Sequence, residues 1–169
     1  YMGEDDIRAL GITETGIESN DPDINSVWYG SMMGAFMKHN LEFFIPWSWK
    51  TGMWETLHLF ARYNQKYYLP STSSNDSIVS VHTTISETKD SLSVLLINRS
   101  FEQEADITIN LRNYDIEDGE YPLLELSELP AEETFVSHTI NALKKKEVIF
   151  NEGKTTVTLA PLSTSTILV

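Results

Sequence analysis

Leu41-Glu42-Phe43-Phe44-Ile45-Pro46-Trp47-Ser48-Trp49 is short, almost continuously apolar, and ends in two indoles separated by one serine. A run of this length and texture reads as a buried strand of a parallel sheet, because strands covered on both faces lose the polar alternation. Upstream, Ala9-Leu10-Gly11-Ile12-Thr13-Glu14-Thr15-Gly16 has the same character and is closed by glycine, which predicts another short strand ending in a turn. Between the two, Asp21-Pro22-Asp23 marks a helix start, with Asp as cap and Pro in the first turn. From Ile24 to Asn40, Val27, Met32, Met33, Phe36 and Met37 recur at helical spacing. Downstream, a second amphipathic helix is expected from Met53 to Leu69, with Leu57, Phe60, Ala61, Asn64 and Tyr68 on one stripe and Pro70 as its stop. The order strand, helix, strand, helix predicts consecutive parallel β/α units covered by helices. Two such units cannot close a barrel alone.

After Pro70 the texture changes. Ser71-Thr72-Ser73-Ser74-Asn75-Asp76 reads as a polar linker, and period-2 stretches follow at 78–85, 91–98, 105–111, 121–126, 134–140, 147–150, 155–159 and 163–169. Short strands at such spacing predict an antiparallel sandwich. Asp118-Gly119 and Glu152-Gly153 are expected at its hairpin turns.

The net charge of −13 removes nucleic acid from consideration, since no basic stripe is available to displace counterions from a phosphate backbone. Acidity is concentrated in the second region: nine Asp or Glu face five Lys or Arg over 1–70, and sixteen face seven over 71–169. The one basic run, Lys144-Lys145-Lys146, is followed at once by Glu147 and reads as a solvated loop or strand edge. There is no cysteine, hence no disulfide or thiolate chemistry, and no stretch approaches the ~18 apolar residues of a membrane-spanning helix. His39, His58, His82 and His138 are scattered, so no metal site is expected. No phosphate loop or nucleophile elbow is present and no cofactor is expected. Asn75-Asp76-Ser77 and Asn98-Arg99-Ser100 match the glycosylation pattern, a short pattern that arises readily by chance.

In a parallel β/α barrel, function gathers at the C-terminal ends of the strands. The first predicted strand ends at Glu14; the second ends at Trp47-Ser48-Trp49, with Trp54 in the loop beyond. A carboxylate beside indoles suits a sugar cleft, because the carboxylate serves an oxocarbenium-like centre and pyranose faces stack on Trp. Each residue also has a plainer reading. A strand-end Glu is ordinarily solvated or salt-bridged, Trp47 and Trp49 share one face that could be core, and Trp54 fits either role. Trp28 is expected in the core and Glu18 in solvent.

Ile12-Thr13-Glu14-Thr15-Gly16 resembles the strand-seven nucleophile segment of retaining (β/α)8 glycoside hydrolases, and Phe43-Phe44-Ile45-Pro46-Trp47-Ser48-Trp49 resembles their strand eight. Phe60-Ala61-Arg62-Tyr63-Asn64 is similar to the helix leading into their β domain. Ser91 to Ser100 and the ending 155–169 are similar to strands of that domain. Endo-glucanases and xyloglucanases, agarases and porphyranases, and arabinofuranosidases share the layout. The resemblance implies an α/β plus all-β chain: the last two units of a TIM barrel over 1–70, then an antiparallel β-sandwich over 71–169. It implies Glu14 as nucleophile, Trp47, Trp49 and Trp54 as substrate contacts, and a plant or algal polysaccharide as substrate. It also implies secretion to the surface or periplasm of a bacterium. The acid/base Glu of such enzymes lies on strand four, so the missing N-terminal part of the barrel is the expected partner, and the chain is expected to be inactive alone. The opening at Tyr1 without an initiator Met, and the lack of a signal peptide, fit a piece of something longer. The rival reading is a non-catalytic β-sandwich carbohydrate-binding or structural module, which should show a row of exposed aromatics on the sandwich.

Overall fold

The computed structural model describes residues 10–169; Ala9, included in the first expected strand, lies outside them. The elements run β1 (Gly11–Thr15), α1 (Pro22–Lys38), β2 (Phe43–Pro46), α2 (Met53–Tyr63), β3 (Tyr67–Leu69), β4 (Val79–Ile85) and β5 (Leu92–Asn98). They continue with β6 (Ala105–Asn110), β7 (Gly119–Leu126), β8 (Lys144–Phe150), β9 (Lys154–Leu159) and β10 (Ser163–Leu168). β1 and β2 form a two-stranded parallel pair. A six-stranded antiparallel sheet has the order β3-β4-β5-β10-β7-β8, and β6 pairs with β9.

α1 starts where the sequence says. Asp21 is the cap, its Oδ1 accepting from the Asp23 and Ile24 N–H groups at 2.9 and 3.2 Å, and Pro22 opens the first turn. The expected stripe is only part of its covered surface: Val27 is buried, and Met33 and Met37 pack against the same core. Pro22, Asn25, Ser26, Val27, Tyr29, Gly30 and Gly34 are buried, because α1 is covered on two sides. On one side Gly30 sits against Thr164 and Ile97, and a Cβ at Gly34 would collide with the His82 ring. These small residues let the helix lie close to the sheet. On the other side Tyr29 and Phe36 meet Phe44 of β2 at ring-centroid distances of 5.4 and 5.1 Å. A helix packed from both sides needs no single apolar stripe.

The six-stranded sheet is likewise covered twice. Leu92, Val94 and Leu96 of β5 enter a core with Ile109, Val157 and Leu159 of the β6–β9 pair. Leu95 and Ile97, one residue out of step, meet Val27, Leu59 and Phe60 of the helices. Period-2 alternation thus divides two apolar cores between the faces of one strand.

Three expectations need correction. α2 ends at Tyr63 rather than Leu69, and Tyr67-Tyr68-Leu69 instead pairs with Ile85-Thr84-Thr83 of β4. Aromatic residues beside an open sheet edge favour strand over another helical turn. The stretch 134–140 is no strand: it forms only an isolated bridge between Ser137 and Ile140. Asp118-Gly119 is not a hairpin turn, since β6 and β7 lie in different sheets. Lys144-Lys145-Lys146 lies on a strand edge, as expected: it opens the edge strand β8, where Lys146 pairs at 2.9 Å with Glu125, which is 1% exposed. The turn at Glu152-Gly153 does join β8 to β9. Both residues have positive φ, 50° and 71°, as a two-residue hairpin turn requires. Asn98 is fully buried and its Nδ2 donates to the Gln103 and Ala160 carbonyls at 3.0 and 2.9 Å, which leaves no amide for a glycan.

Candidate functional site

β1 and β2 run side by side, Gly11 opposite Phe43, Ile12 opposite Phe44 and Thr13 opposite Ile45. The register then slips: Thr15 faces Pro46, and Glu14 is the extra residue of a bulge. Its φ is 57°, in the left-handed region that a residue with a Cβ seldom enters. A bulge at a strand end turns a side chain out of the regular alternation, and strain of this kind recurs where function requires a residue at an unfavourable geometry. The pair closes with the Trp47 N–H donating to the Thr15 carbonyl at 2.9 Å, so Glu14 and Trp47 terminate neighbouring strands.

The indoles divide. Trp49 and Trp54 stack, with centroids 4.1 Å apart and planes 12° from parallel. Tyr29 meets Trp49 edge-on at 5.5 Å. Burial drives the Tyr29 phenol up to about 12, so it remains protonated and serves as support. Trp49 and Trp54 nevertheless stay 37% and 40% exposed, so one flank of the stack is open. Trp47 is not part of that stack and is 73% exposed. The structure therefore brings Trp49 and Trp54 together, and sets Glu14 and Trp47 at adjoining strand ends. Glu18 is exposed and Trp28 half-buried.

Glu55, next to Trp54, is a group that sequence reasoning passed over. It is 1% exposed, and its Oε1 accepts from the Thr134 hydroxyl and the Ala142 N–H, both at 2.9 Å. Burial pushes its carboxyl up despite those bonds. One helical turn on, His58 meets the Phe135 ring at 5.1 Å, and burial, His138 and Arg62 push its imidazole down. Asp23 Oδ1 accepts from the Leu129 N–H at 3.0 Å. These bonds tie the connection between β7 and β8 to the first turns of α1 and α2. Nothing in the sequence near Glu55 signalled them, because its partners lie some eighty residues away.

Of the aromatic residues in 71–169, Phe101 is the exposed one; Tyr121 and Phe150 meet edge-to-face at 5.5 Å in the core shared by the six-stranded sheet and the β6–β9 pair, and Tyr114 packs against the same core. A flat row of exposed rings, as a carbohydrate-binding sandwich would carry, is not found among the described residues. No cluster of three or more His, Cys, Asp or Glu side chains at metal-binding spacing occurs among them either, and no described helix is long and apolar enough to cross a membrane.

Solved structures share this arrangement over 95% of the chain. A bifunctional glucanase-xylanase from a metagenome library superposes with a TM-score of 0.77 at 18% identity. A family 44 endoglucanase from Clostridium thermocellum does so with a TM-score of 0.80 at 12% identity. An α-L-arabinofuranosidase from Thermotoga maritima reaches a TM-score of 0.72 at 10% identity. The fold is one that glycoside hydrolases carry. The chain spans 30%, 31% and 41% of these three structures, so it corresponds to about a third of such a protein. No family model matches the sequence, and no curated protein does.

Proposed function

We infer that this chain is the C-terminal part of a retaining endo-glycosidase that hydrolyses a plant or algal polysaccharide. Residues 1–70 would be the last two units of the catalytic barrel and 71–169 an accessory sandwich, in a protein exported by a bacterium. The observation that carries the reading is the coincidence at one end of the β1–β2 pair. A carboxylate is held in a strained bulge there, beside one exposed indole and near the chain segment that supplies an open indole stack. The shared fold with glycoside hydrolases supports it.

In this reading Glu14 attacks the anomeric carbon from the face opposite the leaving group as the glycosidic bond breaks, and water then displaces the resulting glycosyl ester from the face the leaving group vacated, so the configuration is retained. Trp47, Trp49 and Trp54 hold sugar rings by stacking. The general acid comes from the N-terminal part of the barrel, so this chain does not turn over alone.

The test is Glu14→Gln in the full-length protein. The amide is isosteric but cannot form the ester, so turnover should fall by roughly three orders of magnitude or more while substrate binding persists. Azide with Glu14→Ala and an activated substrate should restore part of the rate and give a glycosyl azide of inverted configuration. Wild-type turnover by Glu14→Gln would remove Glu14 from the site and leave the reading on the indoles alone.

A further inference from the structure

The turn that carries the stacked indoles rests on α1. Lys50-Thr51-Gly52-Met53 lies between Trp49 and Trp54 and brings their rings to 4.1 Å. It closes on itself: the Met53 N–H donates to the Lys50 carbonyl at 3.1 Å, and the Lys50 N–H contacts Met53 Sδ at the same distance. Met53 is fully buried. Gly52 has a φ of 90°, and a Cβ there would collide with the Pro22 carbonyl, so the turn sits directly on the first residue of α1.

One side chain fixes that seating. Asn25 is 1% exposed, and its Nδ2 donates to the Thr51 carbonyl at 3.1 Å. Tyr29, one helical turn further along the same face of α1, meets Trp49 edge-on. α1 thus presents one group to the backbone of the turn and another to its ring. Beside them, Ser26 Oγ accepts from Thr56 Oγ1 at 2.8 Å. The Asn25 Oδ1 has no hydrogen-bond partner among the described residues. For packing alone asparagine is a poor choice, since leucine has nearly the same size and would bury no unpaired acceptor. The amide's bond goes to the indole-bearing turn.

We propose that Asn25 is a positioning residue of the sugar platform: by holding the Thr51 carbonyl it fixes the pose of the turn, so that Trp49 and Trp54 are stacked before a sugar arrives. This rests on the reading of those indoles as substrate contacts. A platform ordered in advance gives up less freedom on binding, so affinity falls when its anchor is removed.

Asn25→Ala in the full-length protein tests the proposal. Asn25→Leu, which keeps the volume, is the second variant and should behave alike. Val27→Ala is the control, because Val27 is buried on the same helix but packs in the core with Leu95 and Ile97. Hydrogen exchange read by mass spectrometry reports on the anchor without substrate. Exchange over residues 47–56 should quicken by about fivefold or more in both Asn25 variants, the scale of one lost hydrogen bond, and stay as in wild type in Val27→Ala. Calorimetry with cellohexaose and xylohexaose reports on the platform. Asn25→Ala should weaken the better-bound sugar by about fivefold. Where Trp49 and Trp54 are both already alanine, it should weaken binding no further, a non-additivity that general loss of stability does not produce. Unchanged exchange in the Asn25 variants, equal quickening in Val27→Ala, or the same weakening with and without the indoles would overturn the proposal. If neither hexasaccharide binds the wild type, or if Trp49→Ala binds as the wild type does, the reading of the indoles fails and the affinity role of Asn25 falls with it. Exchange then still decides the anchor.

Discussion

β5 and β2 are both short apolar strands, yet β5 is buried along its whole length while Phe43 and Ile45 of β2 stay exposed. The difference lies in what covers them. β5 has the β6–β9 pair on one face and the two helices on the other. β2 has α1 on one face, where Phe44 meets Tyr29 and Phe36, and no cover for the other among the described residues. α1 is therefore a shared wall: its glycine side closes the six-stranded sheet, and its aromatic side serves a pair of strands that is only half clothed. Contiguous apolar side chains left in solvent mark an interaction surface or an aggregation liability.

Substitutions can break or sharpen that contrast, the largest effect coming from the closed side. Phe150 is fully buried in the core between the six-stranded sheet and the β6–β9 pair, and Phe150→Ala should lower unfolding free energy by about 3–5 kcal/mol in denaturant titration. His82, under α1 on the sheet's other face, supplies a pH test. Its folded-state pKa lies below the unfolded 6.5, at about 4, so the unfolded chain binds the proton more readily. Its contribution is therefore fully present above pH 6.5 and is lost as pH falls from 6.5 towards 4, by roughly 3 kcal/mol in total. His82→Asn should flatten the stability profile over that window relative to wild type, and an unchanged slope would remove His82 as its cause. On the open side, Trp49→Ala should weaken oligosaccharide binding by the full-length protein by about 1–3 kcal/mol, the scale of flat rings stacked on indole. Smallest of all, Ile45→Ser at an exposed position should shift stability of this chain by no more than about 0.5 kcal/mol while reducing its aggregation. A loss as large as that of Phe150→Ala would show that β2 is already covered and cancel the contrast.

The sequence made most of the strands and the start of α1 legible because their signals are local. Asp21-Pro22 caps a helix wherever it occurs, and Glu152-Gly153 makes a tight turn by its own backbone preferences. The end of α2 was not legible. Tyr67, Tyr68 and Leu69 continue a helical spacing, and it is the open edge of β4 that turns them into a strand. The face of α1 was legible only in part: Val27, Met33 and Met37 do pack inward, but a helix packed on two sides shows no single stripe. At the candidate site, Glu14 and the three indoles stood out by residue type and position at strand ends. The bulge that singles out Glu14, and the pairing of Trp49 with Trp54 rather than Trp47, depend on neighbours that no local pattern names.

The passage from α2 to β3 has a consequence for how the two parts move. Only residues 64–66 separate them, and the Gln65 N–H is bonded to Thr84 Oγ1 at 2.8 Å while the Tyr63 carbonyl accepts from Ser93 Oγ at 2.5 Å. An accessory module on a long tether searches a volume and raises the effective concentration of whatever it has caught. Here there is no rope: the bonds on either side of the crossing hold the sheet to the end of α2.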